Sequence, residues 1–219
     1  MLSPIGLIAG GGQFPLLFAE AAQQRNRPVV AVCHLNETVP ELAEQAAASC
    51  WVKLGQLGRI IKFLHAHGVS ETVFCGTITK TRIFRDILPD LKGLSLWNQI
   101  NSKLDDGILR AVAGALEQEG IKVLASTCYL EHLLFPKGVL SKKKPSQEQW
   151  NDIRFGWQIA REIGRLDIGQ CVVVRGRAVL AVEAIEGTDA AIRRGGQLAG
   201  SSAVVVKLKK PGQDFRFDL

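Results

Sequence analysis

The chain has 219 residues and a formal net charge of +6, and 47% of its residues are hydrophobic against 22% charged. This balance is that of a globular protein and excludes a disordered or coiled-coil chain. No apolar run reaches the roughly 20 residues of a membrane-spanning helix, and the first residues lack the features of a secretory signal peptide. We therefore expect a cytoplasmic protein, peripheral at the inner membrane at most, whose positive charge favours anionic partners.

Strands and helices are predicted to alternate along the first part of the chain. Short apolar runs predict strands at 5–9, 28–33, 50–54, 72–75 and 122–126. Amphipathic segments that end at glycine, or begin at proline, predict helices at 15–24, 40–48, 57–67 and 105–118. This alternation predicts a Rossmann-like α/β domain with a parallel sheet over residues 1–130.

A polar, lysine-rich segment at 131–147 is predicted to be a linker to a second domain at 148–219. There a helix is expected at 149–163, and strands at 171–175 and 178–182 flank the two-residue turn of Gly176 and Arg177, which is typical of a β-hairpin. A helical stretch that begins near Thr188 and a strand at 202–208 complete this smaller domain. Its class is expected to be α/β or α+β.

Two loops at the carboxyl ends of predicted strands are candidate anion sites. Glycines let backbone amides approach a phosphate, and hydroxyls with an ammonium group suit an anion at this edge of an open α/β sheet. The candidate substrate-binding residues are Gly11, Gly12 and Gln13 in the first loop and Thr77, Thr79 and Lys80 in the second. The alternatives are a tightly packed glycine turn and a solvated loop.

An acidic cluster follows the predicted hairpin in the string AVEAIEGTDAAIRR. Carboxylates this close in sequence are costly unless positive charge meets them. That charge could come from a metal or substrate, or from the neighbouring arginines, in which case the cluster is structural. The candidate substrate-binding residues here are Glu186, Gly187, Thr188, Asp189, Arg193 and Arg194.

The last residues, QDFRFDL, alternate polar and aromatic side chains and predict a strand whose polar residues share one face. An exposed, frayed tail is the alternative. Neither a zinc-ligand pattern nor a nucleophile elbow nor a phosphate-binding lysine motif occurs elsewhere, and the five cysteines are expected to be free thiols.

Strings spread over the whole chain resemble one enzyme family. They are IAGGGQFP, DDGILRAVA, GVLSKKKP, DIRFGWQIAREIGRLDIGQ, VEAIEGTDAAIRR and KPGQDFRFDL, together with the segment 76–80. The chain is similar to the UDP-2,3-diacylglucosamine pyrophosphatases of the lipid A pathway, in the family that is unrelated to the calcineurin-like enzymes. The string EAIEGTDAAIRR is the most specific of these matches.

The resemblance implies hydrolysis of a lipid-bearing UDP-sugar to UMP and 2,3-diacylglucosamine 1-phosphate, dependence on Mg²⁺, two domains and a homodimer, without a nucleic-acid partner. It also implies an essential aspartate in the string QDFRFD. Asp214 or Asp218 is therefore the expected catalytic and metal-binding residue. Members of the family continue beyond this motif, so we expect the chain to lack the C-terminal end of the family.

Two other functions remain open from the residues alone. The basic charge would also suit a non-catalytic nucleotide-binding or nucleic-acid-binding protein. The glycine loop would suit an NAD-dependent oxidoreductase only if Glu37 supplied the acidic residue that usually follows the second strand.

Overall fold

The structure, a computed structural model, describes residues 2–79, 88–99, 105–211 and 214–217. The chain divides into two compact units, one formed by Met1–Phe135 with Asp214–Leu219 and the other by Pro136–Gln213. The second unit is thus inserted in sequence between two parts of the first. The sequence analysis assigned the last residues to the second domain, whereas the structure groups Asp214–Leu219 with the first unit.

A parallel sheet forms the centre of the first unit. Its strands are β1 (Ile5–Ala9), β2 (Val29–His34), β3 (Ala48–Val52), β4 (Glu71–Cys75) and β5 (Lys122–Val123). They are arranged in the order β3-β2-β1-β4-β5, and every pair is parallel. All residues of β1 and β2 are buried, as expected for strands that are covered on both faces.

Helices cover both faces of this sheet. The helices of the described part of the unit are α1 (Phe14–Gln23), α2 (Pro40–Gln45), α3 (Leu57–Ala66), α4 (Leu91–Gln99) and α5 (Asp105–Gln118). Alternate strand residues pack in two separate cores: Leu7 lies in the core that includes Phe18 of α1, and Ile8 lies in the core that includes Leu64 of α3. The predicted Rossmann-like α/β domain is therefore confirmed.

The second unit contains a smaller, antiparallel sheet. Helix α6 (Gln147–Arg165) is followed by β6 (Cys171–Arg175), β7 (Ala178–Val182), α7 (Thr188–Ala199) and β8 (Val204–Lys207). The strand order is β7-β6-β8, so among the two predicted classes the unit is α+β. Glycines allow both helices to approach β6 closely: Gly156 of α6 faces Val174, and Gly195 of α7 faces Val173.

Local side-chain hydrogen bonds define the ends of these elements. Ser146 and Gln149 form a reciprocal capping box, so α6 begins two residues before the predicted start. The buried carboxylate of Asp152 accepts hydrogen bonds from the backbone N–H groups of Gly176 and Arg177, at 2.9 and 2.6 Å. The predicted hairpin turn is confirmed, and it is anchored to α6.

In residues 214–217, the part of the chain's end that the structure describes, the predicted strand is wrong. Residues 215–217 lie in a turn, in which the backbone N–H of Arg216 donates to the carboxylate of Asp214 at 3.0 Å. This local hydrogen bond offers the backbone an alternative to strand pairing. The predicted strand at 122–126 is also shorter than expected and spans Lys122–Val123.

Among the described residues, no helix combines the length and the apolar character that crossing a bilayer requires.

Candidate substrate site

The two predicted anion-binding loops meet at the carboxyl edge of the parallel sheet. Gly11 donates its N–H to the carbonyl of Thr77 at 2.7 Å, and Thr77 donates in return to the carbonyl of Gly11 at 3.1 Å. A Cβ on Gly10 would lie 2.4 Å from the Thr77 oxygen, so this position requires glycine. The glycines therefore allow close backbone contact between the loops that follow β1 and β4.

Glu37, in the loop after β2, contacts the second of these loops. Its carboxylate accepts a hydrogen bond from the Thr79 backbone N–H at 3.1 Å and another from the Thr79 hydroxyl at 3.0 Å. The hydroxyl proposed for substrate binding is thus bound to a side chain of the protein. Lys80, the remaining candidate of this loop, lies outside the described residues.

A buried polar network holds the Glu37 loop against the end of β1. The hydroxyl of Thr38 donates to the carbonyl of Ala9 at 2.7 Å, and Nδ1 of His34 lies 2.9 Å from the same oxygen. Because a carbonyl only accepts, Nδ1 carries the hydrogen. Burial lowers the pKa of His34, which keeps the ring neutral. The sequence analysis did not identify this network. The signal in the sequence was the group of polar residues at the carboxyl end of the second strand, where open α/β sheets bind ligands.

The first turn of α1 is the exposed part of this edge. Gln13 is the N-cap residue and makes no side-chain capping hydrogen bond, and both Gly12 and Gln13 are exposed. Gly12 has a φ of +87°, which favours glycine. The amino end of a helix carries positive potential, and strand order reverses between β1 and β4, where open α/β sheets bind ligands. The arrangement can therefore receive an anionic group.

The segment Asp214–Phe217 packs on the same unit, beside β4 and the residues after β5. The N–H of Ser126 donates to the carbonyl of Arg216 at 3.1 Å, and the Phe217 ring packs edge-on against Phe74 with the centroids 5.4 Å apart. These contacts place Asp214, one of the two predicted catalytic carboxylates, in the unit that contains the glycine loop. Asp218, the other, lies outside the described residues.

Arg216 stabilises the ionised form of Asp214. Its Nε and Nη2 donate to the Asp214 carboxylate at 3.1 and 2.8 Å, and its Nη1 donates to Glu117 at 2.7 Å. These hydrogen bonds lower the pKa of Asp214 below its ordinary value, so the carboxylate is ionised at neutral pH.

The acidic cluster of the second unit is satisfied by hydrogen bonds within that unit. The buried Glu183 accepts from the Thr188 hydroxyl at 2.8 Å, and Glu186 accepts from Arg194 at 2.7 Å. A backbone hydrogen bond and that of Arg194 lower the pKa of Glu186. The Thr188 hydroxyl therefore does not cap α7; the N-cap residue is Gly187, whose φ of +86° favours glycine.

Two candidate residues of this cluster form no such hydrogen bond within the described residues. Asp189, in the first turn of α7, and Arg193 are exposed. The contacts of the other members support the structural explanation of the cluster, which the sequence analysis left open beside a ligand site. Glu186 and Arg194 are exposed as well, but within the described residues Asp189 and Arg193 are the charged members of the cluster without such a hydrogen bond.

Within the described ranges, no group of three or more His, Cys, Asp or Glu side chains is arranged to hold a metal ion. The five cysteines are free, as predicted. Burial raises the pKa of the Cys33 thiol to about 11, which makes it a poor metal ligand and nucleophile at neutral pH.

Solved structures with weak overall likeness include two with a TM-score of 0.36. One is a Rhizobium etli pyruvate carboxylase with acetyl coenzyme-A, 12% identical, for which the match covers 94% of this chain and 18% of that chain. The other is gox2253, 15% identical, with 74% of this chain and 48% of that chain covered. Likenesses of this strength carry no conclusion about the present chain.

Family comparisons match both units. Residues 4–133 match the LpxI N-terminal domain, and residues 136–219 match the LpxI C-terminal domain. The chain is 35% identical to the UDP-2,3-diacylglucosamine pyrophosphatase LpxI of Caulobacter vibrioides over 226 aligned positions, which cover 98% of this chain and 80% of that protein. The chain therefore belongs to the LpxI family and contains regions that match both of its domains.

Proposed function

We propose that the chain hydrolyses the pyrophosphate of UDP-2,3-diacylglucosamine to UMP and 2,3-diacylglucosamine 1-phosphate in lipid A biosynthesis. The observation that carries this proposal is the match of both LpxI domain models along the chain, together with the 35% identity to the Caulobacter vibrioides enzyme of that name. Neither comparison favours the alternative of a non-catalytic nucleotide-binding or nucleic-acid-binding protein.

The carboxyl edge of the parallel sheet is the proposed site for the phosphates of the substrate. Support comes from the exposed backbone at Gly12 and Gln13, which begins α1 without a side-chain cap. The bridge between Gly11 and Thr77 and the hydrogen bonds from Thr79 to Glu37 hold the surrounding loops in place. An ordered loop loses less entropy when it binds a ligand.

Asp214 is the proposed catalytic carboxylate, with Asp218 as the second candidate. Hydrolysis forms a bond from a water oxygen to phosphorus and breaks the anhydride P–O bond, so both the attacking water and the leaving phosphate must be oriented. An ionised carboxylate that Arg216 fixes at two points can accept a hydrogen bond from water in a defined direction.

Mg²⁺ dependence is part of the proposal but has little support among the described residues. Asp214 is already bound to Arg216, and no cluster of three ligands was found in the described ranges. Mg²⁺ is commonly held by one or two carboxylates together with substrate phosphates, so a protein cage is not required. Because the described residues do not form a site by themselves, no catalytic step is assigned to the metal.

Arginines of the second unit are proposed to neutralise part of the negative charge of the substrate. Arg193 is exposed and could meet a phosphate, whereas Arg194 is held by Glu186.

The proposal also includes a homodimer and peripheral contact with the inner membrane. Sedimentation velocity of the purified protein tests the homodimer, and a single monomeric species at all concentrations would contradict it.

The reaction is tested by measuring UMP release from UDP-2,3-diacylglucosamine, with Mg²⁺ and then with a chelator. We expect turnover that the chelator abolishes. Asp214→Asn should lower kcat by about 100-fold or more, within the range of a positioned acid–base group. Glu44→Gln, a change at an exposed carboxylate of the same unit, is the matched control. Full activity of Asp214→Asn and Asp218→Asn would contradict the role given to this segment.

The phosphate site is tested at Glu37, whose carboxylate orders the loop of Thr79. We expect Glu37→Ala to raise KM more than it lowers kcat, because it loosens a binding loop without removing a reacting group. Glu37→Gln, which keeps one acceptor oxygen, should recover part of the loss. An unchanged KM in Glu37→Ala would show that this loop does not contribute to binding.

A further inference from the structure

The outward face of α6 carries alternating tryptophan and arginine side chains. Trp150, Arg154, Trp157 and Arg161 follow one another at spacings of four, three and four residues, which places them on one side of the helix. The two indoles are 39% and 54% exposed, and both arginines are exposed. The opposite side of α6 packs against the sheet through small residues such as Ala160 and through larger apolar residues such as Ile159. These four side chains are therefore not needed for the core of the unit.

The segment that precedes α6 and the helix itself together have an excess of basic residues, and the segment also exposes apolar side chains. From Lys137 to Arg165 the sequence contains seven basic and three acidic residues. Of the acidic ones, Asp152 is buried against the hairpin turn and Glu162 pairs with Arg165. The basic residues are Lys137, Lys142, Lys143, Lys144, Arg154, Arg161 and Arg165. The three consecutive lysines are exposed, and so are Val139 and Leu140 just before them.

We propose that the α6 face, defined as Trp150, Arg154, Trp157 and Arg161, docks together with the segment 137–144 on an anionic lipid bilayer. Indole rings favour the level of the lipid headgroups, where their apolar and polar parts are both satisfied. Basic side chains close to an anionic bilayer each strengthen binding by about fivefold. Exposed apolar side chains next to basic ones are the combination that lies in a membrane interface.

Charge also argues against a second copy of this chain as the occupant of the α6 face. Two identical faces would bring the same arginines together, and like charges in contact oppose association. The choice of a bilayer rather than another polyanion rests on the proposed function, because a substrate with two acyl chains resides in a membrane. Docking of α6 would keep the enzyme at the surface that contains its substrate.

Vesicle flotation with the purified full chain tests this surface. We expect binding to vesicles of phosphatidylcholine with phosphatidylglycerol, weaker binding to phosphatidylcholine alone, and release by high salt, which screens exposed charges. Arg154→Gln with Arg161→Gln should lower partitioning by about 25-fold, at about fivefold for each arginine. Arg177→Gln, at an exposed arginine of the same unit, should leave partitioning unchanged.

The contribution of the tryptophans to vesicle binding and the rate of substrate hydrolysis are measured in separate experiments. Trp150→Ala with Trp157→Ala should weaken binding to the same vesicles, while circular dichroism shows that the fold is retained. UMP release from detergent-dispersed substrate should be unchanged in the arginine double variant. If vesicles bind but no substrate is hydrolysed, the proposed function fails and the docking surface stands.

Three results would overturn the docking surface. The first is wild-type protein that does not float with anionic vesicles although it hydrolyses dispersed substrate. The second is a change of oligomeric state in the tryptophan double variant with vesicle binding intact, which would make the α6 face a subunit interface. The third is binding to a single-stranded oligonucleotide with no binding to vesicles.

Discussion

Two adjacent glycines of α7 should respond to alanine in opposite directions. A Cβ on Gly195 would lie 2.5 Å from the Cβ of Val173 and 2.7 Å from both of its methyl groups, in the buried strand β6. A Cβ on Gly196 would meet nothing within 4 Å. The two substitutions change helix propensity equally, so their difference isolates the contact between α7 and the sheet.

The magnitudes follow from two opposing effects. Alanine in place of glycine inside a helix stabilises by about 1 kcal/mol, which is all that Gly196→Ala should experience. Gly195→Ala gains the same amount, but overpacking of a well-packed core costs about 1–3 kcal/mol, and the 2.5 Å distance indicates the upper part of that range. We therefore expect Gly195→Ala to destabilise the protein by about 2 kcal/mol.

Thermal unfolding of the two purified variants measures this difference. At about 2–4 °C for each kcal/mol in a chain of this size, Gly195→Ala should unfold at a lower temperature than the wild type and Gly196→Ala at a higher one. A Gly195→Ala protein that is as stable as Gly196→Ala would refute the close packing of α7 on β6.

Two further substitutions test the polar contacts of the two units. Arg216→Met removes the partner that lowers the pKa of Asp214. The wild type should therefore be more stable than the variant at pH values above 3.8, the ordinary pKa of an aspartate, and this difference should disappear as the pH falls below that value. Urea unfolding of both proteins across this pH range measures the effect, and an advantage that persists at low pH would contradict it. Thr188→Val leaves the buried Glu183 without its hydroxyl donor and should cost about 1–3 kcal/mol, whereas Thr188→Ser should cost much less. Equal loss in both would show that the hydrogen bond is unimportant.

The sheet of the first unit was predictable because its strands are continuous apolar runs. Such runs, separated by helical segments, indicate strands covered on both faces, as β1 and β2 are. The hairpin of the second unit was predictable from the two residues between its strands, Gly176 and Arg177. In both cases the information is local in sequence.

The turn at Asp214–Phe217 was not predictable from alternation of polar and aromatic side chains. Its conformation depends on a hydrogen bond from the backbone of Arg216 to Asp214, and its position depends on Phe74 and Ser126, which are distant in sequence. Periodicity contains no information about such partners. It therefore indicated the wrong secondary structure for residues 214–217.

The candidate site shows the same limit. That the Gly11 and Thr77 loops lie at one edge followed from the parallel sheet, but that they hydrogen-bond to each other did not. The acidic residues near Thr188 were visible as a cluster, yet only the structure shows that Glu183 is buried and bound to the threonine hydroxyl. Residue types indicated where chemistry could occur, and packing determined which groups remain exposed.

The insertion of one unit within the other has a consequence for protein synthesis. The first unit is discontinuous, since the ribosome makes residues 1–135 before the inserted unit and Asp214–Phe217 after it. A nascent chain that has released only the first part still lacks the residues that cover Phe74 and bind Ser126. Co-translational folding of this unit can therefore finish only after the second unit has been made, and a fragment that ends at residue 135 would not contain Asp214.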